Sequence, residues 1–209
     1  MSNIRPRTAV IALTCIGAAA LVACGGSHIA STRPAQTRPA AVSGSASGKA
    51  LGMIVRLAAE RVMTADTVAA AKWGRAQSID DPAREKKVLD NAATQATKLG
   101  IDQSAVQRIF EDQITANKTV QRALFTQWQA QPTEQPTHRP DLATQVRPVL
   151  DRVDSQLLSA IQQAQPLLSS PECGALLEQE QATTARSMGL DAVHKNGLAQ
   201  ALAHTCQTR

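Results

Sequence analysis

Residues 50–77 read ALGMIVRLAAERVMTADTVAAAKWGRAQ, and the fold is decided there. Leu51, Ile54, Val55, Ala58, Val62, Ala65, Val68, Ala69 and Trp73 recur at spacings of three and four, which predicts one long amphipathic helix ending near Ser78. No segment of the chain has the apolar–polar alternation of a half-buried strand. Ala, Gln and Leu abound, while the aromatic residues are only Phe110, Phe125, Trp73 and Trp128, a composition that favours helix over strand.

Working downstream, Asp81 followed by Pro82 has the form of an N-cap with proline at the first helical position, predicting a second helix that runs to Leu99 and stops at Gly100. Asp102 caps a third helix carrying Val106, Ile109, Phe110, Ile114, Val120, Leu124 and Trp128, which breaks down into QPTEQP at residues 131–136. A polar, proline-rich linker reaches Pro140. A fourth helix is expected over 142–168, and Pro171 and Gly189 punctuate two shorter ones near 172–187 and 190–206. The expectation is one all-α domain of about six helices over residues 49–209.

Working upstream, Arg5 and Arg7 precede residues 8–23, which carry no charge, the n-region and h-region pattern of an export signal. The run is too short for a comfortable membrane span. It ends in Leu21-Val22-Ala23-Cys24-Gly25, the form of a lipobox whose Cys24 is acylated and tethers the mature chain to a membrane. The alternative is an ordinary signal cleaved nearby, for instance after Ala18-Ala19-Ala20. We therefore read residues 1–24 as the signal and 25–48 as a flexible tether, rich in Ser, Ala, Pro, Thr and Gly with no acidic residue.

The formal charge of +5 does not indicate nucleic-acid binding. Four of the 22 basic residues (Arg5, Arg7, Arg33, Arg38) precede residue 49, leaving 18 basic against 17 acidic residues, a net of +1. Cys173 and Cys206 are the two cysteines inside the domain, and export predicts a disulfide between them; a nucleophilic role for either is the weaker reading.

Glycine-rich phosphate loops, His-Glu-x-x-His, Cys-x-x-Cys and Gly-x-Ser-x-Gly are absent from the sequence, so metal and triad chemistry lose support. His194 and His204, ten positions apart with no partner at metal-ligand spacing, are expected on the surface, and His28 and His138 in linkers. What remains is polar residues on helices whose other faces are apolar. Arg61 and Lys72 are eleven positions apart, about three turns, and share one face of the first helix. Arg84 and Arg147 open the second and fourth helices, and Asn117 and Gln121 form an i, i+4 pair on the third. Taken alone, such residues usually form solvated faces.

The order of motifs goes further. Ala59-Glu60-Arg61, Ala70-Ala71-Lys72-Trp73, Ile79-Asp80-Asp81-Pro82-Ala83-Arg84-Glu85, Ile109-Phe110-Glu111-Asp112-Gln113-Ile114 and the turn from Asn117 to Gln121 resemble the all-helical chorismate mutases, particularly their secreted, single-chain-site subclass. The likeness continues through Pro140-Asp141-Leu142, Arg147, Leu150-Asp151 and Leu158-Ser159 to a Cys pair placed as in that subclass, and covers most of residues 50–206.

The resemblance implies a type II-like helical bundle that converts chorismate to prephenate without cofactor or metal, with the site built within one chain by the first four helices and the protein a homodimer. Chorismate is a dianion that rearranges in one pericyclic step, so nothing has to be protonated or attacked. The enzyme must hold a chair-like conformer and stabilise charge on the breaking ether oxygen. By resemblance, Arg61 and Arg147 bind the two carboxylates with support from Arg84, and Lys72 and Gln121 flank the ether oxygen. Asp81, mainly through its backbone, and Glu85 hold the ring hydroxyl. Asn117 stands where a small hydroxyl residue contacts a carboxylate. Val88 stands where secreted members can carry a Gln, and Glu85 serves from the neighbouring turn, as in the cytoplasmic relatives. Gln121 is a neutral donor at any ordinary pH, whereas a Glu there would need a proton to donate.

Two other readings use the same residues. A helical lipoprotein could keep the anion pocket for a carboxylated ligand without catalysis, since fold does not fix function. A purely structural lipoprotein would leave Arg61, Lys72, Arg84, Gln121 and Arg147 scattered over the surface instead of converging.

Overall fold

Short polar side chains start most of the helices. In the computed structural model, which describes residues 44–206, the Ser45 hydroxyl accepts from Gly48 N at 3.0 Å and opens α1 (Ala46–Lys72). Asp81 accepts from Arg84 N at 3.1 Å ahead of α2 (Pro82–Leu99), and Asp102 from Ala105 N at 2.7 Å ahead of α3 (Gln103–Ala130). Asp141 accepts from Thr144 N at 2.8 Å and opens a π-helical turn, Leu142–Val146, that leads into α4 (Arg147–Leu168). After α5 (Cys173–Ser187), Asp191 accepts from His194 N at 2.9 Å and caps α6 (Ala192–Ala201). Gly100 and Gly189, at φ 68° and 64°, end α2 and the turn after α5 in the left-handed region where a side chain would be strained.

No strand occurs among the described residues, and the all-α expectation of six helices holds. Three boundaries move. The first helix stops at Lys72 rather than near Ser78, because Trp73 turns away to stack edge-on against Phe125 (centroids 5.0 Å) and Trp128 (5.4 Å), and Gly74 at φ 66° reverses the chain. The fourth helix begins with the π turn, and the sixth ends at Ala201 rather than running to 206.

Leu51, Ile54, Val55, Ala58, Val62 and Ala65 are buried along α1, which lies in the middle of the bundle. They pack against Val153, Leu157 and Ile161 of α4 on one side and Ile109, Phe110 and Val120 of α3 on another, each large side chain worth about 1.5–3 kcal/mol of transfer. The second half of α1 also meets α6 closely. A Cβ at Gly197 would lie 2.7 Å from Val120 and 3.0 Å from Val62, so only glycine fits that crossing. Cys173 and Cys206 are bonded (S–S 2.00 Å, Cα–Cα 5.8 Å), joining the start of α5 to the chain beyond α6. By contrast α2 buries only Ala92 and Ala96 and rests on α3 and α4 rather than along α1. Held off in this way, it leaves a cleft. The signal, Cys24 and the tether up to residue 43 lie outside the described residues, as do residues 207–209.

Candidate active site

Four segments line this cleft. Helix α1 contributes Arg61, Val68 and Lys72, and the α1–α2 connection with the first turns of α2 contributes Ile79, Asp81, Arg84, Glu85 and Val88. Helix α3 adds Asn117, Lys118 and Gln121; the π turn and α4 add Val146, Arg147 and Asp154. All eight residues that the sequence reading assigned to substrate binding therefore converge on one cavity, which rules out the scattered arrangement of a purely structural protein.

Burial differs sharply among them. Arg61, Lys72 and Gln121 are 4%, 8% and 3% exposed, whereas Arg84 is half-buried and Arg147 and Asp81 sit at the rim. The Arg61 guanidinium is paired with Asp154, but its Nε is buried and has no partner. Burial is the main influence on Asp154 and raises its pKa; Arg61 offsets this in part, and Asp151 adds to it. Lys72 Nζ donates to Ile79 O at 2.9 Å. Burial lowers its pKa, with Asp81, Asp80 and Glu85 pulling the other way.

The amide pair on α3 is locked. Asn117 Nδ2 donates to Arg61 O at 2.9 Å and Thr64 Oγ1 at 3.2 Å, while its Oδ1 accepts from Gln121 Nε2 at 2.7 Å. Asn117 thus turns its donors to α1 and orients Gln121, whose Oε1 is buried without a partner. The second Nε2 proton of Gln121 is left for a ligand. Asp81 caps α2 with its side chain, and its own N–H donates to Glu85 Oε1 at 3.2 Å.

Two charged lining residues, Asp154 and Lys118, were missed by the sequence reading. Asp154 lies seven positions after Arg147, two turns along the same face of α4, and that spacing could have found it. Lys118 follows Asn117 directly, but a lone lysine on a polar helix gives no signal of its own. One expectation is corrected: His194 is 8% exposed, not on the surface. Its ring bridges Asp191 (Nδ1, 2.8 Å) and Asp66 of α1 (Nε2, 2.9 Å), which make its burial tolerable. His204 does sit on the surface, against Asp112. Among the described residues no three His, Cys, Asp or Glu side chains are grouped to hold a metal.

Residues 53–122, which supply most of this cleft, match the family model of chorismate mutase type II. The secreted chorismate mutase of Mycobacterium tuberculosis is 34% identical over 157 residues, covering 75% of this chain and 78% of that one. That of Mycolicibacterium smegmatis is 34% identical over 154 residues, covering 74% and 84%. The chain belongs to the chorismate mutase family. A crystal structure of chorismate mutase from Burkholderia phymatum superposes with a TM-score of 0.74 at 36% identity, over 78% of this chain and all of that one. As a chorismate mutase the protein is an isomerase.

Proposed function

We propose that this cleft carries out the rearrangement of chorismate to prephenate, with Arg61 and Arg147 binding the two carboxylates and Arg84 supporting them. The observation that carries the reading is the convergence of Arg61, Lys72, Arg84 and Arg147 on one cavity beside a buried amide, Gln121. Arginine forks suit carboxylates, and a buried Nε without a partner favours a ligand that supplies one. Lys72, with two ammonium protons beyond the one on Ile79 O, and Gln121, with its free N–H, flank the ether oxygen. Both are fixed before the substrate arrives, so charge developing on that oxygen is stabilised without reorganisation. Asp81 and Glu85 take the ring hydroxyl, and Asn117 acts by aiming Gln121.

The test is loss of chorismate absorbance with the purified protein at neutral pH without metal, beside Arg61→Ala and Gln121→Ala, with circular dichroism as the folding control. Each substitution in a folded variant is expected to lower kcat/KM by about 10²-fold or more. Folded wild-type protein with no decay above the uncatalysed rate would leave only ligand binding. Because Gln121 does not titrate, activity should stay nearly level from about pH 6 to 8; a steep rise toward acid pH would contradict the role given to it.

This reading also takes the domain to act outside the cytoplasm. The uncharged run at residues 8–23 and the relatives named as secreted support it. Membrane tethering through acylated Cys24 rests on the lipobox-like residues 21–25, and the mass of the mature N-terminus distinguishes it from cleavage at another site. The homodimer rests on the family resemblance, and sedimentation at micromolar concentration tests it.

A further inference from the structure

Lys118 is the one charged residue of the cleft on α3, and its side chain is 19% exposed. Its Nζ lies 2.9 Å from Glu85 Oε2 and 3.2 Å from Asp80 Oδ1. Burial works against the ammonium, yet these two carboxylates outweigh it and raise the pKa, so Lys118 is firmly charged. Glu85 is consequently held at both oxygens, by Lys118 at one and Asp81 N–H at the other, each keeping a lone pair free. Asp80 is gripped from α3 a second time, by Arg122 Nη2 at 2.7 and 2.8 Å.

Counting formal charges along the cleft shows what the lysine contributes. Arg61, Lys72, Arg84, Lys118 and Arg147 face Asp81, Glu85 and Asp154, five cations against three carboxylates, a net of +2. Chorismate brings two negative charges. Without Lys118 the cleft would hold +1, and Glu85 would confront the incoming dianion uncompensated.

We propose that Lys118 is a positioning and specificity-determining residue, which cancels the charge of Glu85 toward a dianionic substrate and fixes that carboxylate to accept the ring hydroxyl. The inference rests on the substrate reading above. Lys118 acts through Glu85 and takes no part at the breaking bond, so its loss should be felt in binding and hardly in turnover.

A double-mutant cycle on the full chain tests it, with Lys118→Met, Glu85→Gln and the pair, and Lys118→Arg as the conservative variant. Lys118→Met is expected to raise KM about tenfold while kcat changes less than about threefold, and Lys118→Arg to stay close to wild type. In the Glu85→Gln background Lys118→Met should leave KM within about twofold, because the charge it cancelled is gone. That arm remains informative if the single Met variant folds poorly. An unchanged KM in Lys118→Met, or the same tenfold rise in both backgrounds, overturns the proposal. Arg61→Ala in the same assay separates the two ideas: if it keeps full activity the substrate reading fails, whereas an inactive Arg61→Ala beside an unaffected Lys118→Met sinks only the role of Lys118.

Discussion

Arg61 and Asp66 leave α1 five positions apart and enter opposite kinds of charge cluster. On the cleft side, Arg61 meets Asp154 but keeps an unpaired Nε, and burial pushes Lys72 down and Asp154 up, against their charged forms. On the α6 side, Asp66 and Asp191 engage both nitrogens of His194 and raise its pKa from 6.5 to about 9, in favour of the charged form. The first cluster works against folding and leaves donors for a ligand; the second is closed and supports folding. Unpaired atoms alone do not make the distinction, since Gln113 Oε1 and Thr205 Oγ1 also lack partners near α6. The surplus of buried cations does.

The widest separation between the two regions should appear at Lys72. Lys72→Met is expected to lower kcat by about 10²–10³-fold, as for loss of a preorganised donor, while the melting temperature holds or rises because a desolvated ammonium has gone. A melting temperature several degrees lower would assign Lys72 to the scaffold and erase the contrast. The disulfide probes the other side. Replacing Cys173 and Cys206 by Ser opens a loop with a separation of 33 residues and should cost about 3–4 kcal/mol on the chain-entropy account, with kcat of the folded fraction unchanged.

His194→Ala is the mildest of the three, expected to cost about 1–2 kcal/mol because Asp66 and Asp191 are half-exposed and screened, and to leave kcat/KM as it was. The sign with pH follows from the raised pKa. The charge-dependent contribution of His194 is whole below pH 6.5 and is lost as the pH climbs through about 9, so the stability gap between wild type and His194→Ala should narrow over that window to what packing of the neutral ring supplies. A gap that widened with pH would break the comparison.

Most of the fold was legible because its signals are local. Asp81-Pro82, Gly100 and Asp102 fix helix ends by their own backbone chemistry, and the period of Leu51, Ile54, Val55, Ala58 and Val62 fixes the buried face. The early end of α1 was not legible, since it depends on Trp73 meeting Phe125 and Trp128 some fifty positions later in the chain. The π turn at Leu142–Val146 leaves no mark on the spacing of residues around it. In the cleft, periodicity could pair Arg61 with Lys72 and Asn117 with Gln121, helix starts could place Arg84 and Arg147, and the family resemblance added Asp81 and Glu85 and gave the set its roles. Asp154, the partner of Arg61, could have been found by its spacing from Arg147, whereas Lys118 escaped because it matters only through a residue of another helix, Glu85. His194 looked like a surface residue for the same reason, as Asp66 lies 128 positions away.

The aromatic cluster at the end of α1 gives the protein its own optical reporter. The sequence holds two tryptophans and no tyrosine, and both indoles, Trp73 and Trp128, stack in that cluster, one residue from Lys72. Near-ultraviolet emission therefore comes from a single corner of the molecule rather than an average over it. A ligand that draws on Lys72, or a loosening of the chain turn at Gly74, would be read there as a change in colour or intensity, without a label.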